Sequence, residues 1–272
     1  MFDKGNEPKN VTRRTALERG VGVAALGAAS AFAGVVSNAP AASAAARTPR
    51  GNASTARTEA LPREVAGIRI PRSEVAQKAA AFAREESSVT LFNHVMRTYL
   101  FGCVMFDQRG VHYDREVAFV AAVLHDLGLV EKYRSPSERF ELDGADVAQR
   151  FLRKQRMPAE RVEVVWDAIA LHTNLPIALR KRPEIAMISV GSGLDFTGNE
   201  LRKVPSEVLE DILDAFPREG FKKNAVDTMV SLCRTKPTSV LMHPFAEVGR
   251  RHLPGFAVPT VEDLLLAAPF DE

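Results

Sequence analysis

Four polar side chains stand where the helical repeat of this sequence calls for apolar ones: His94, the adjacent His125 and Asp126, and Asp195. His94 shares a helical face with Leu91, Thr98, Phe101 and Met105, and Asp195 continues the stripe Ile185, Ile188, Ser192. His125 and Asp126 close the run from Val117 to Leu124, which is apolar around its whole circumference and therefore central. An inward carboxylate is expensive unless it is paired or coordinates a cation. Two imidazoles and two carboxylates supply such a cage, so the spacing predicts one divalent ion held by His94, His125, Asp126 and Asp195. Mixed nitrogen and oxygen ligands suit zinc or iron, with manganese a third choice.

An ion held with positions left open lowers the pKa of its bound water to about 7 and offers hydroxide near neutral pH. A proton must then be delivered. His172 continues the inward stripe Val162, Val165, Trp166, Ile169, and its ring titrates near operating pH, which makes it the candidate acid. A fifth ligand, or a group holding the water, is the competing role for this histidine. Arg97, one turn from His94, is read as a structural partner for a carboxylate. His112, His243 and His252 fall outside the stripes and receive no role.

The elements that must position these groups are helices. Ser73 caps a helix ending near Glu86, Ser88 opens a second towards Gly110, and Asp114 opens the apolar third. A fourth spans Asp143 to Gln155, Pro158 opens a fifth reaching His172, and Pro183 opens a sixth. Further helices cover Ser206 to Phe216 and Phe221 to Arg234, and no run alternates as a strand would.

With 46% apolar and 26% charged residues over 272 positions, the chain can build a core without a metal to staple it, so a metal implies chemistry. Cys103 and Cys233 exclude a disulfide scaffold or a cysteine-rich zinc site. The formal charge of +2 comes from residues 1–46; the remainder carries 31 basic and 31 acidic residues, which argues against nucleic acid as a partner.

Residues 20–46 carry no charge and follow Thr12-Arg13-Arg14-Thr15-Ala16-Leu17. This pattern resembles a twin-arginine export signal, and Ala42-Ser43-Ala44 with Ala46 supplies a small-residue cleavage site. The resemblance implies folded export by the twin-arginine machinery to the periplasm or the exterior, with no membrane anchor after cleavage near Ala44–Ala46. Residues 47–67 read as a flexible linker and residues 68–272 as the folded domain.

The order His94, His125-Asp126, Asp195 resembles the ligand set of the HD-domain metal-dependent hydrolases, which implies an all-α helical bundle with the metal between helices. Asn93-His94-Val95-Met96-Arg97, Leu124-His125-Asp126-Leu127-Gly128, Phe140-Glu141-Leu142-Asp143-Gly144, Ala168 to His172, Leu194 to Gly198, Phe216-Pro217-Arg218 and Lys236-Pro237 are similar to the cyanamide hydratase branch. That branch implies hydration of cyanamide or a nitrile, a small-molecule substrate, and catalytic parts for Asp126, His172 and Glu141. Val95, Leu142-Asp143 and Gly191-Ser192-Gly193 depart from its pattern near the pocket. Two other functions compete. A phosphohydrolase would need cations aimed at phosphate, for which Arg150, Arg153, Lys154 and Arg156, or Arg180, Lys181 and Arg182, are the clusters available. A non-catalytic protein would keep the metal for ligand capture alone.

Overall fold

The computed structural model describes residues 60–270, so the expected export signal and most of the expected linker lie outside the described residues. Its elements begin with an antiparallel hairpin, β1 (Glu64–Val65) and β2 (Ile68–Arg69), within and just beyond the stretch read as linker. Ala66 and Gly67, at φ 50° and 75°, form the tight turn between the strands, and Val65 and Ile68 are buried. The Tyr99 hydroxyl donates to the Arg69 carbonyl at 3.0 Å. The folded part therefore starts earlier than residue 68. Two-residue strands are too short to show an alternating pattern.

Eleven α-helices follow among the described residues: α1 (Glu74–Glu86), α2 (Val89–Asp107), α3 (Arg115–Leu124), α4 (Phe140–Lys154), α5 (Ala159–Ala170), α6 (Leu175–Ala178), α7 (Pro183–Thr197), α8 (Ser206–Ala215), α9 (Phe221–Thr235), α10 (Phe245–His252) and α11 (Val261–Leu266). The fold is all-α apart from the hairpin. Ser73, Ser88 and Asp114 cap α1, α2 and α3 through their side-chain oxygens, as their types predict. None of these helices is long and apolar enough to cross a membrane.

α3 is the axis of the bundle: every residue from Val117 to Leu124 is buried, and α1, α2, α5 and α7 pack around it. That explains its uniform apolarity. α2 lies along α7, which sets His94 and Arg97 opposite Asp195. α4 starts at Phe140 rather than at the expected Asp143, so Glu141 falls in its first turn, where a carboxylate is favoured by the helix dipole. The α4 start presses on the turn after Asp126, and a Cβ on Gly128 would collide with the Phe140 carbonyl.

Gly191 permits the closest approach of α7 to α2. A Cβ there would collide with the Thr98 carbonyl and stand 3.0 Å from the Gly102 nitrogen, whereas a Cβ on Gly193 would meet nothing within 4 Å. Gly191→Ala is expected to destabilise the protein by about 1–3 kcal/mol or more through overpacking. Gly193→Ala is expected to be neutral or to stabilise by up to about 1 kcal/mol, since alanine is the better helix former. Urea denaturation of the two variants checks the contrast, and equal effects would place the α2–α7 contact elsewhere.

Candidate metal centre

His125 is the residue that ends α3, and His172 lies just past the end of α5. Each ring places Nδ1 on the backbone carbonyl three residues earlier, Ala122 at 2.7 Å and Ile169 at 2.6 Å. A carbonyl only accepts, so each Nδ1 carries the proton, and the neutral ring turns the lone pair of Nε2 inward. The same local device thus aims two imidazoles from two helix ends. Burial pushes the His125 ring down to about 3, helped by nearby His94. It pushes His172 down to about 4, with His125 adding to the shift. Ser189 fixes the second turn by donating to the His172 carbonyl at 2.7 Å.

All these nitrogens face one carboxylate. Nε2 of His94 and of His125 each stand 3.4 Å from Asp126 Oδ2, and Nε2 of His172 stands 3.7 Å from Oδ1. For His125 and His172 this sets an acceptor against an acceptor, and the buried His125 Nε2 has no hydrogen-bond partner. Burial pushes the Asp126 carboxyl up, against the pull of His94 and His172. A cation among these atoms reverses the repulsion. Two ligand atoms held at about 2.1 Å in a tetrahedral shell are about 3.4 Å apart, which matches the His94–Asp126 and His125–Asp126 separations. His94, His125 and Asp126, all buried, form a group able to hold a metal ion, so the donor set fits one.

Asp195, expected as the fourth ligand, stands on the other nitrogen of His94. Its Oδ2 accepts from His94 Nδ1 at 2.7 Å, Arg97 grips it through Nε at 2.8 Å and Nη2 at 2.9 Å, and Arg218 adds a bond to Oδ1 at 2.6 Å. The carboxylate therefore orients the His94 ring from behind and is not grouped with His94, His125 and Asp126. Burial opposes its charge, yet hydrogen bonds from His94 and Arg97 hold it well below the usual carboxylate range. Arg97, fully buried, also donates from Nη1 to the Phe216 and Pro217 carbonyls at 3.0 Å, a structural part.

Glu141 does not itself line the cleft over the histidines. It accepts from Thr173 Oγ1 and Arg139 Nη2 at 2.5 Å and from His243 Nε2 at 3.1 Å, and despite burial these bonds hold its carboxyl well below its ordinary value. Thr173 and His243 form part of the wall of that cleft, whose volume is about 260 Å³. His243 is the site residue that sequence reasoning missed. It is buried, and its Nδ1 accepts from the Phe245 N–H at 3.1 Å, which leaves Nε2–H for Glu141. The ion pair of Lys236 with Asp143, buried at 2.5 Å, ties this C-terminal segment to α4. Only the His243-Pro244-Phe245 sequence at a helix start hinted at an inward turn. Cys103 and Cys233 are separate buried thiols with no part in the centre.

Two outcomes follow. Asp195→Asn is expected to cost about 3 kcal/mol or more in urea denaturation, because it strands the buried Arg97 charge, and to weaken metal affinity about 10–100-fold through His94; unchanged metal affinity would show that Asp195 does not act on the ion through His94. In the metal-free protein, the unfolded chain takes up protons on His125 and His172 as pH falls through 6.5, whereas the folded chain waits until about 3 and 4. The two histidines thus contribute stability above pH 6.5 that is lost on acidification, by about 2 kcal/mol or more on reaching pH 5, while the raised Asp126 carboxyl acts in the opposite direction. In an Asp126→Asn background, which removes that opposing group, flat stability from pH 6.5 to 5 would contradict the neutral, inward rings.

No curated protein sequence matches the chain. The family model for the HD domain matches residues 91–214, a span that contains His94, His125, Asp126, His172 and Asp195 and stops before His243. Across residues 91–214 the chain is therefore similar to the HD domain.

Proposed function

We propose that the protein is a metal-dependent hydratase of a small uncharged molecule, cyanamide or a nitrile, with zinc or iron as the ion. The observation that carries this reading is the lining of the cleft over the histidines. Phe140, Leu129, Leu175, Phe196 and Phe245 wall it beside His94, Asp126, His172, Ser192 and His243, and among the described residues no lysine or arginine faces it. A phosphoryl group would need such cations. The basic clusters at residues 150–156 and 180–182 are solvated instead, with every arginine and lysine in them exposed. The similarity of seven short segments to the cyanamide hydratase branch supports the same substrate class.

A divalent ion, when bound here, supplies hydroxide near neutral pH by lowering the pKa of its water to about 7. Its holders are His94, His125 and Asp126, with His172 as a further ligand, since the Nδ1–H of that ring is committed to Ile169 and the inward Nε2 has no proton to give. Hydration of cyanamide to urea replaces both π bonds of the C≡N group by a C=O double bond and moves both protons of the water to the former nitrile nitrogen. The protein's part is to hold those protons and orient the substrate. Thr173 and His243 each donate from the cleft wall to Glu141, and that carboxylate fixes both as orienting groups for the substrate. The small-residue and twin-arginine pattern of residues 1–46 supports export of the folded, loaded protein.

Urea formation from cyanamide by the zinc- or iron-loaded protein is the direct test, with Asp126→Asn as control. Turnover is expected in the parent and at least a hundredfold loss in the variant; silence from protein shown to hold its metal would remove the hydratase reading. His172→Ala is expected to lower metal occupancy as well as turnover. A variant that keeps full occupancy and loses only turnover would restore this residue as the acid.

A further inference from the structure

The cleft over the histidines is not the only one beside His94 and Asp126 among the described residues. A second, of about 220 Å³, flanks the centre on the side of α9 and shares His94, Asp126, Leu129, Phe196 and Phe245 as a common wall with the first. Together they fall within the range of about 300–1,000 Å³ typical of pockets for drug-sized ligands, far more than a molecule as small as cyanamide fills. The second cleft is apolar and aromatic. Phe221 stacks on the His94 ring at 4.9 Å between centroids, Phe196 meets Phe221 edge-on at 6.4 Å, and Met229 and Ala225 complete the wall. Phe196 is 48% exposed at the junction, an unusual amount for a ring beside a buried centre. Beyond His94 and Asp126, its polar lining is Glu86, Ser88, Asn224 and Thr228, and the Ser88 hydroxyl is taken by the Leu91 N–H. Asn224 and Thr228 line the cleft with side chains that no described residue hydrogen-bonds, and Glu86 at its rim is ion-paired with Lys132.

We infer that the second cleft is a substrate subsite, and that the substrate is a nitrile or N-substituted cyanamide carrying an uncharged, ring-sized substituent. The reactive carbon sits at Asp126, and the substituent runs past Phe196 onto Phe221. An aromatic ring gains edge and face contacts with these two phenylalanines, and Asn224 and Thr228 offer one polar contact at its far end. The absence of a free charge in the lining selects a neutral group. This inference rests on the hydratase reading for the reaction, while the subsite itself is a matter of binding.

The metal-loaded full chain is assayed with phenylcyanamide and with cyanamide, beside Ala225→Trp and Thr228→Trp, each of which fills the second cleft from α9. In the parent, kcat/KM is expected to be at least tenfold higher for phenylcyanamide, and in both variants, shown folded by circular dichroism, the ratio is expected to fall to about one. A parent ratio of one or less overturns the subsite, as does a high ratio that both tryptophans leave intact. Calorimetric binding of phenylurea separates this from the reaction. If neither cyanamide is hydrated, the hydratase reading fails, and phenylurea binding that the tryptophans abolish still supports the subsite; no phenylurea binding to the parent overturns it.

Discussion

A carboxylate enclosed by imidazole nitrogens inside a helical bundle creates an electrostatic problem that the rest of the molecule is arranged around. Asp126 has lost its water, and two of the three rings facing it present lone pairs. The energy of such an arrangement falls when a cation enters and not before. The bundle must therefore hold mutually repelling groups in place without the ion, which is why each is anchored from behind. Backbone carbonyls hold His125 and His172, and Asp195 holds His94.

The anchoring is layered. Asp195 orients His94 only because Arg97 and Arg218 neutralise it, and Arg97 is held in turn by the two carbonyls before Arg218. This couples α2, α7 and the turn before α9 into one support. On the opposite flank Glu141, Thr173 and His243 form a comparable set joining α4, the turn after α5 and the start of α10. The two supports differ in what they face. The first is packed behind a ligand, whereas the second reaches the cleft wall, where a proton or a substrate atom can be met.

The surroundings of the centre narrow its chemistry as much as its ligands do. Charged side chains near it are already spent on one another: Arg97 and Arg218 on Asp195, Arg139 on Glu141, Lys236 on Asp143, Lys132 on Glu86. What remains open to a ligand is aromatic and aliphatic surface with isolated hydroxyl, amide and imidazole groups. A low-dielectric cleft of this kind strengthens the pull of a metal on a small polarisable bond and disfavours a multiply charged substrate.

Helical phase was enough to place His94, His125, Asp126, His172 and Asp195 inward, because a period of 3.6 residues assigns each side chain a face. Serine and aspartate caps likewise marked where α1, α2 and α3 begin, since capping is settled within four residues. Phase gives a direction but not a neighbour. Whether Asp195 meets the ion or the back of a histidine depends on how α7 lies against α2, and Gly191 and Arg97 decide that across about a hundred residues of chain. The ring orientation of His172 depends on the turn that follows α5, and the inward course of His243 depends on a partner 102 positions away. Sequence thus determined which residues of the helical stripes enter the interior and their fitness for a metal, while tertiary packing brought in His243 and assigned each residue its partner, because contacts between distant segments leave no local periodicity to read.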